Sequence, residues 1–158
     1  MQGMELTQLI ARYHAASFAV TKQVETEIRT QLRGDLTLEQ YAILHHIRMR
    51  GSCMSTELAD IFHVGKSAIT SLITKLTDKD MLRRVPDPND RRIIRLELTD
   101  TGREISLKTD QCIEQWLASY LVHFSRDEIY DFILAFEKLA RLVTKQDEGS
   151  GDQDENNH

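Results

Sequence analysis

A mainly α-helical fold with one small β-hairpin is predicted by three observations along this 158-residue chain. Apolar residues recur at helical intervals over most of its length. Two of the periodic segments are separated only by His63, Val64 and Gly65. The stretch from Met81 to Leu98 instead combines turn residues with alternating apolar and charged positions. The length suits one domain with helical extensions and is sufficient to bury a core. With 41% hydrophobic and 28% charged residues, the composition is that of a globular protein, not a fibrous or disordered one. No apolar run approaches the roughly 18 residues of a membrane span, and the N-terminus lacks a basic stretch followed by an apolar one. No membrane partner and a cytoplasmic location are expected.

The first helix is expected over Met4 to Arg33, where Leu6, Leu9, Ile10, Tyr13, Val20, Val24, Ile28 and Leu32 keep helical spacing and Gly34 supplies a stop. Thirty helical residues would reach about 45 Å, more than the breadth of a compact domain this size, which implies a partner surface. Thr37 and Gln40 form a capping-box pattern ahead of a second helix carrying Leu38, Tyr41, Ala42, Leu44 and Ile47 and ending before Gly51. Ser55 is expected to cap a third helix, Thr56 to Phe62, with Glu57 in its first turn, where a carboxylate suits the helix dipole. A short turn with Val64 pointing inward and small Ala59 at the crossing then reads as a helix-turn-helix.

The fourth helix, Lys66 to Lys79, places Ile69, Leu72, Ile73 and Leu76 on one buried stripe. Ser67, Ser71, Thr74 and Asp78 fall on the opposite side, flanked by Thr70 and Lys75. A thin hydroxylated face can approach base edges closely, although Ser and Thr discriminate less sharply than Arg or Asn. A strand over Met81 to Val85, the turn Pro86-Asp87-Pro88-Asn89 and a returning strand through Ile94, Leu96 and Leu98 make the hairpin. Asp90, Arg91 and Arg92 sit at its tip, where long cations can reach phosphates or the negative potential of a minor groove.

The formal net charge of −5 does not oppose this reading. The terminal stretch Asp147 to His158 carries five acids and no Lys or Arg, and without it acidic and basic residues balance at 20 each. Between Lys66 and Arg103 there are nine Lys or Arg against six Asp or Glu, and Arg83, Arg84, Arg91, Arg92 and Arg95 crowd into thirteen positions. Cys53 and Cys112 are 59 residues apart and read as reduced fillers, while the six histidines form no ligand cluster. No metal and no cofactor are expected. No nucleophile-base set or phosphate loop is recognisable, so an enzyme is not expected.

Thr99 caps a fifth helix with Ile105, Cys112, Ile113, Trp116, Leu117, Tyr120, Leu121 and Phe124 on a wide apolar surface. Ser125 and Glu128 form a second capping box for a sixth, with Ile129, Phe132, Ile133, Phe136, Leu139, Leu142 and Val143. The end beyond it, Gly149-Ser150-Gly151 and acidic, Asn-rich residues, has the composition of a disordered tail.

Leu58-Ala59, Val64, Ile69-Thr70, Leu76, Arg84, Pro86-Asp87-Pro88, Asp90-Arg91-Arg92, Leu98-Thr99 and Gly102 together resemble the winged-helix core of the MarR family, named for multiple-antibiotic-resistance regulators. The D-x-R hairpin followed by L-T-x-x-G is the most specific part, and the resemblance spans roughly residues 4–145. It implies a winged helix-turn-helix, mainly α with a small β-wing, bearing long N- and C-terminal dimerisation helices. The dimerisation lobe would comprise 1–34 and 99–146, the DNA-binding lobe 35–98, and the acidic tail 147–158.

The resemblance further implies that Asp90 braces Arg92 in the wing, that Arg92 contacts the minor groove, and that Ser67, Thr70 and Ser71 face the major groove. With their neighbours, the expected DNA-binding set is Lys66, Ser67, Thr70, Ser71, Thr74 and Lys75 on the helix, and Arg84, Asp90, Arg91, Arg92 and Arg95 in the wing. A small aromatic or phenolic effector would bind near Tyr13, Ser17, His45 and Arg48. Two departures stand out. Asp80 replaces a glycine usual before the first wing strand, and Ser71 stands where relatives often carry a larger polar residue. The function implied is a homodimeric, ligand-responsive repressor of a pseudo-palindromic operator in double-stranded DNA. The alternative is a winged-helix adaptor that binds protein and not DNA.

Overall fold

The computed structural model describes residues 3–31 and 36–147. In chain order it contains α1 (Gly3–Gln31), α2 (Leu38–Arg50), α3 (Ser55–Ile61), α4 (Lys66–Asp78), β1 (Leu82–Pro86), β2 (Ile94–Leu98), α5 (Asp100–Leu121) and α6 (Arg126–Asp147). The expected stop at Gly34 lies outside the described residues, as does the acidic tail beyond Asp147. Packing separates the described residues up to Trp116 from those after it. The boundary thus falls inside α5, whereas the functional division expected from sequence lies at the start of that helix.

The first unit is organised around α2. Its entry is fixed by the capping box: Thr37 Oγ1 accepts the Gln40 amide at 3.2 Å and Gln40 Oε1 accepts the Thr37 amide at 3.1 Å. The helix then buries Gln40, Ile43, Leu44 and Ile47, with Leu38 and Tyr41 half-buried. It is covered on several sides, so the apolar face expected from Leu38, Tyr41, Ala42, Leu44 and Ile47 omitted Ile43, which is fully buried. Around it gather Ile28 of α1, Leu36, Leu58 and Ala59 of α3, Ile69, Ile73 and Leu76 of α4, and Leu82, Leu96 and Leu98 of the hairpin. Most of α1 is not covered: Leu6, Leu9, Ile10, Phe18 and Val20 are exposed, and only its last turns meet the core.

Two sequence expectations about the helix-turn-helix are corrected. Met54, not Ser55, is the N-cap of α3, and the Glu57 carboxylate accepts the Met54 amide at 2.5 Å. Residues before it are held extended because Cys53 pairs with Leu96 through two backbone hydrogen bonds of 2.8 and 3.2 Å, leaving Met54 in the capping conformation. Val64 is exposed and Phe62 packs on the core in its place. The turn itself is a Schellman motif. His63 has φ 49°, its amide donates to the Asp60 carbonyl, and the Val64 amide donates to the Ala59 carbonyl.

The same device ends α4. Asp80 adopts φ 55°, its amide donates to Thr77, and the Met81 amide donates to Leu76. The left-handed geometry demanded by the missing glycine is therefore met by Asp, whose short polar side chain tolerates it better than most. Met81, expected in the strand, is instead the buried residue closing this motif. The wing is a two-stranded antiparallel sheet with Leu82 opposite Leu98, Arg84 opposite Leu96 and Pro86 opposite Ile94.

Thr99 caps α5 as expected: its hydroxyl accepts the Gly102 amide at 3.0 Å and donates to the Asp80 carbonyl at 2.5 Å. The buried side of this helix consists of Gly102, Ser106 and Thr109, small residues that let α5 approach closely, while Ile105 and Ile113 flank them. In the second unit, Ser125 and Glu128 form the expected reciprocal cap of α6. Backbone and hydroxyl donors from Ser125 hold the Glu128 carboxyl below its usual range. The apolar residues of α6, among them Phe132, Ile133, Phe136, Leu139 and Leu142, are exposed, and the rings of Phe132 and Phe136 stack 5.7 Å apart.

Candidate nucleic-acid interface

The outer face of α4 exposes Lys66, Ser67, Thr70, Ser71, Thr74 and Lys75 together, while Ile69, Ile73 and Leu76 anchor the inner face. The hydroxyls are not equivalent. Thr70 Oγ1 donates to the Lys66 carbonyl at 2.6 Å and Thr74 Oγ1 donates to the Thr70 carbonyl at 2.9 Å, as threonines commonly do within a helix. Each threonine thus commits its proton to the helix backbone and keeps its hydroxyl oxygen as an acceptor. Ser67 and Ser71 make no such bond among the described residues, so their hydroxyls can both donate and accept.

The wing sorts its arginines by partner. Arg83 pairs across the strands with Glu97 at 2.8 Å. Arg95 is drawn onto Asp87 at 2.5 Å and also reaches Ser52 Oγ at 3.4 Å. The Arg95 guanidinium and the Asn89 amide hold the Asp87 carboxyl below the usual carboxylate range, and the same pairing raises Arg95. Arg92 stands at the tip with its side chain 93% exposed, and Asp90 Oδ1 accepts both its backbone amide at 3.0 Å and its Nε at 3.3 Å. Arg84 and Arg91 are exposed and have no acidic partner among the described residues.

Arg84 shares the sheet face of Leu82 and Leu96, and it lines a shallow concavity with Ser55, Thr70, Ile73 and Ile94. That concavity joins the base of the wing to the middle of α4. Of the sequence-predicted residues, it brings together Thr70 of α4 and Arg84 of β1. Sequence reasoning placed Asp87 in the hairpin turn but gave its side chain no role; the signal available was an Asp between two prolines, in position to accept amides from the following turn.

The expected effector residues divide. His45 and Arg48 meet Asp110 of α5: His45 Nδ1 lies 3.1 Å from its Oδ1, and Arg48 forms a direct ion pair with Oδ2. Tyr41 donates to Asp110 at 2.6 Å and Arg48 Nε donates to Ser106 at 3.1 Å. Burial, reinforced by the bond to Asp110, pushes the Tyr41 phenol up. The group is a polar link between α2 and α5, and neither Asp110 nor Ser106 was singled out from sequence. Tyr13 stacks edge-on against His14 at 5.8 Å, and no hydrogen bond or ring contact joins Tyr13 or Ser17 to the cluster among the described residues. Cys53 is buried, which raises its thiol to about 11, so it is an unreactive filler. No group of three or more His, Cys, Asp or Glu among the described residues could hold a metal ion.

A short helix pair with an exposed hydroxylated helix beside an arginine-bearing hairpin defines the winged helix-turn-helix class. The MarR family model matches residues 36–94, from the entry to α2 through the first residue of β2. The multiple antibiotic resistance protein MarR of Escherichia coli (strain K12) is 30% identical over 96 residues, covering 60% of this chain and 67% of that protein. The HTH-type transcriptional repressor MdtR of Bacillus subtilis (strain 168) is 25% identical over 140 residues, covering 86% of this chain and 88% of that protein. A crystal structure of an E. coli MarR mutant complexed with operator DNA superposes with a TM-score of 0.68 at 25% identity, covering 85% of this chain and 97% of the other. The chain belongs to the MarR family of transcriptional regulators.

Proposed function

We propose that this chain is a sequence-specific repressor that binds a pseudo-palindromic operator as a homodimer. The observation that carries the reading is the concavity in which Thr70 of α4 and Arg84 of β1 meet, joining a base-reading face to a phosphate-reading one. In this reading α4 enters the major groove, with Ser67 and Ser71 as adaptable donor-acceptors, Thr70 and Thr74 offering methyl groups to thymine, and Lys66 and Lys75 on phosphates. Arg84 and Arg91 neutralise phosphates, and Arg92, oriented by Asp90, enters the minor groove. Arg95 acts indirectly, through Asp87. Two copies related by a two-fold axis address major grooves about 34 Å apart.

The exposed apolar residues of α1 and of α6 support pairing with a second copy, since exposed apolar area on this scale marks an association surface. In this reading 1–34 with 99–146 serve pairing and 35–98 serves DNA. An aromatic or phenolic effector would act by favouring one separation of the two DNA lobes over another, and the Asp110 cluster is the link it would have to alter. We read the protein as a non-enzymatic, cytoplasmic regulator. Relatives named as transcriptional regulators support this, and no described helix is long and apolar enough to cross a membrane.

An electrophoretic mobility shift with DNA from upstream of the gene tests the proposal. A salt-sensitive, sequence-selective complex is expected. Its absence, with the protein folded and dimeric, would favour the adaptor reading instead.

A further inference from the structure

Asp87 is the least exposed acid of the wing, with a side chain only 9% accessible, and its charge is met by Arg95 rather than by solvent. Its carboxylate ties together three parts of the chain. Oδ1 accepts the amides of Asn89 at 2.8 Å and Asp90 at 3.2 Å, which shapes the turn. Oδ2 accepts Arg95 Nε at 2.5 Å, and Arg95 continues to Ser52 in the loop ahead of α3. The turn so shaped presents Asp90, whose carboxylate accepts both the amide and the Nε of Arg92. An unbroken series of hydrogen bonds therefore runs from the loop before α3 to the guanidinium at the wing tip.

We propose that Asp87 is a positioning residue for DNA recognition, which fixes the wing tip relative to the helix-turn-helix and thereby aims Arg92. The inference rests on the wing reading above. The hairpin also has backbone bonds that do not involve the Asp87 side chain: the Asp87 amide donates to the Ile93 carbonyl at 2.8 Å and the Ile93 amide to the Asp90 carbonyl at 2.9 Å. What the carboxylate adds is orientation. Electrostatics acting at a distance argues in the opposite direction, because a carboxylate beside a polyanion weakens binding and its removal should strengthen it. The two effects therefore predict opposite signs for one substitution.

The test uses full-length protein and a labelled duplex recovered by the wild type from a random pool, with affinity read by fluorescence anisotropy. Asp87→Asn preserves an acceptor for the turn and removes the charge that holds Arg95. It is expected to raise Kd about tenfold, with cooperative thermal unfolding retained. In an Arg92→Ala background the same change is expected to raise Kd less than about twofold, since there is no guanidinium left to aim. Tighter or unchanged binding by Asp87→Asn overturns the inference, as does an equal loss in both backgrounds, which a merely structural role would give. Should Arg92→Ala alone leave Kd unchanged, the wing reading falls and the inference with it; should Arg92→Ala weaken binding while Asp87→Asn does not, the inference alone falls. If Asp87→Asn unfolds the protein, Arg95→Gln enters the same cycle with the same expected coupling.

Discussion

Gly102 lies so near Met81 that a Cβ added to it would stand 2.0 Å from the Met81 carbonyl oxygen. The first turn of α5 is pressed against the segment that leaves α4, and Thr99 holds the two together by accepting the Gly102 amide and donating to the Asp80 carbonyl. The L-T-x-x-G pattern is the chemical record of that crossing: a cap, then a residue without a side chain where two backbones meet.

Gly102→Ala should therefore force α5 away from the wing. Because the clash is with backbone and not with a mobile side chain, the expected loss is about 2–4 kcal/mol. Denaturant unfolding measures it. A loss below about 0.5 kcal/mol, the range of an ordinary surface change, would show that the junction yields more easily than its geometry suggests.

Asp80→Gly should act in the opposite direction. Asp80 holds φ 55° at the end of α4, and its contacts there are made by backbone groups that glycine keeps. Relief of the left-handed penalty is expected to outweigh the added freedom of the unfolded chain, giving a gain of about 0.5–1 kcal/mol. A lower melting temperature for the glycine variant would mean that the Asp80 side chain makes a stabilising interaction of its own.

The wing should loosen in acid. The carboxyl of Asp87 is depressed in the folded protein, chiefly by Arg95 and then by the Asn89 amide. A depressed carboxylate contributes stability above its unfolded value of about 3.9, and that contribution is lost as pH falls through the lower folded value. The Asn89 and Asp90 amide resonances should accordingly titrate with a midpoint below about 3.9, and Asp87→Asn should abolish the titration. A midpoint at or above that value would contradict the pairing.

Ser67 and Ser71, whose hydroxyls are uncommitted, should govern sequence preference, whereas Arg91 should govern strength. Replacing either serine by alanine is expected to cost different operators unequally, by about 1–3 kcal/mol where a hydroxyl is read and near zero elsewhere. Arg91→Ala should weaken all duplexes alike and reduce the salt slope by about one ion per contact. Uniform losses from the serine variants, in a panel of single-base operator changes, would remove them from base reading.

Much of this architecture is local and so legible in residues. Thr37 with Gln40, Thr99 and Ser125 with Glu128 all cap where their spacing predicts, because capping depends on atoms three positions apart. The stripe Ile69, Ile73 and Leu76 is likewise a property of one helix. Asp80 announced its left-handed backbone by standing where a glycine was wanted.

Tertiary structure decided what local chemistry leaves open. Cys53 pairs with Leu96 across 43 positions and so shifts the cap of α3 from Ser55 to Met54. Ser106 and Thr109 are fully buried because another element comes close to α5, which polarity alone argues against. His45 and Arg48 look like open effector ligands in the sequence, but Asp110 lies 65 and 62 positions away from them and takes both. The wing arginines form one cationic run in sequence, and only folding pairs Arg83 with Glu97 and Arg95 with Asp87 while leaving Arg84 and Arg91 without such partners among the described residues. Sequence determined the fold class, the hydroxylated face of α4 and the arginine-bearing hairpin through short-range spacing. Which wing charges stay exposed and which hold the turn depends on long-range pairing, and that exists only once the chain has closed on itself.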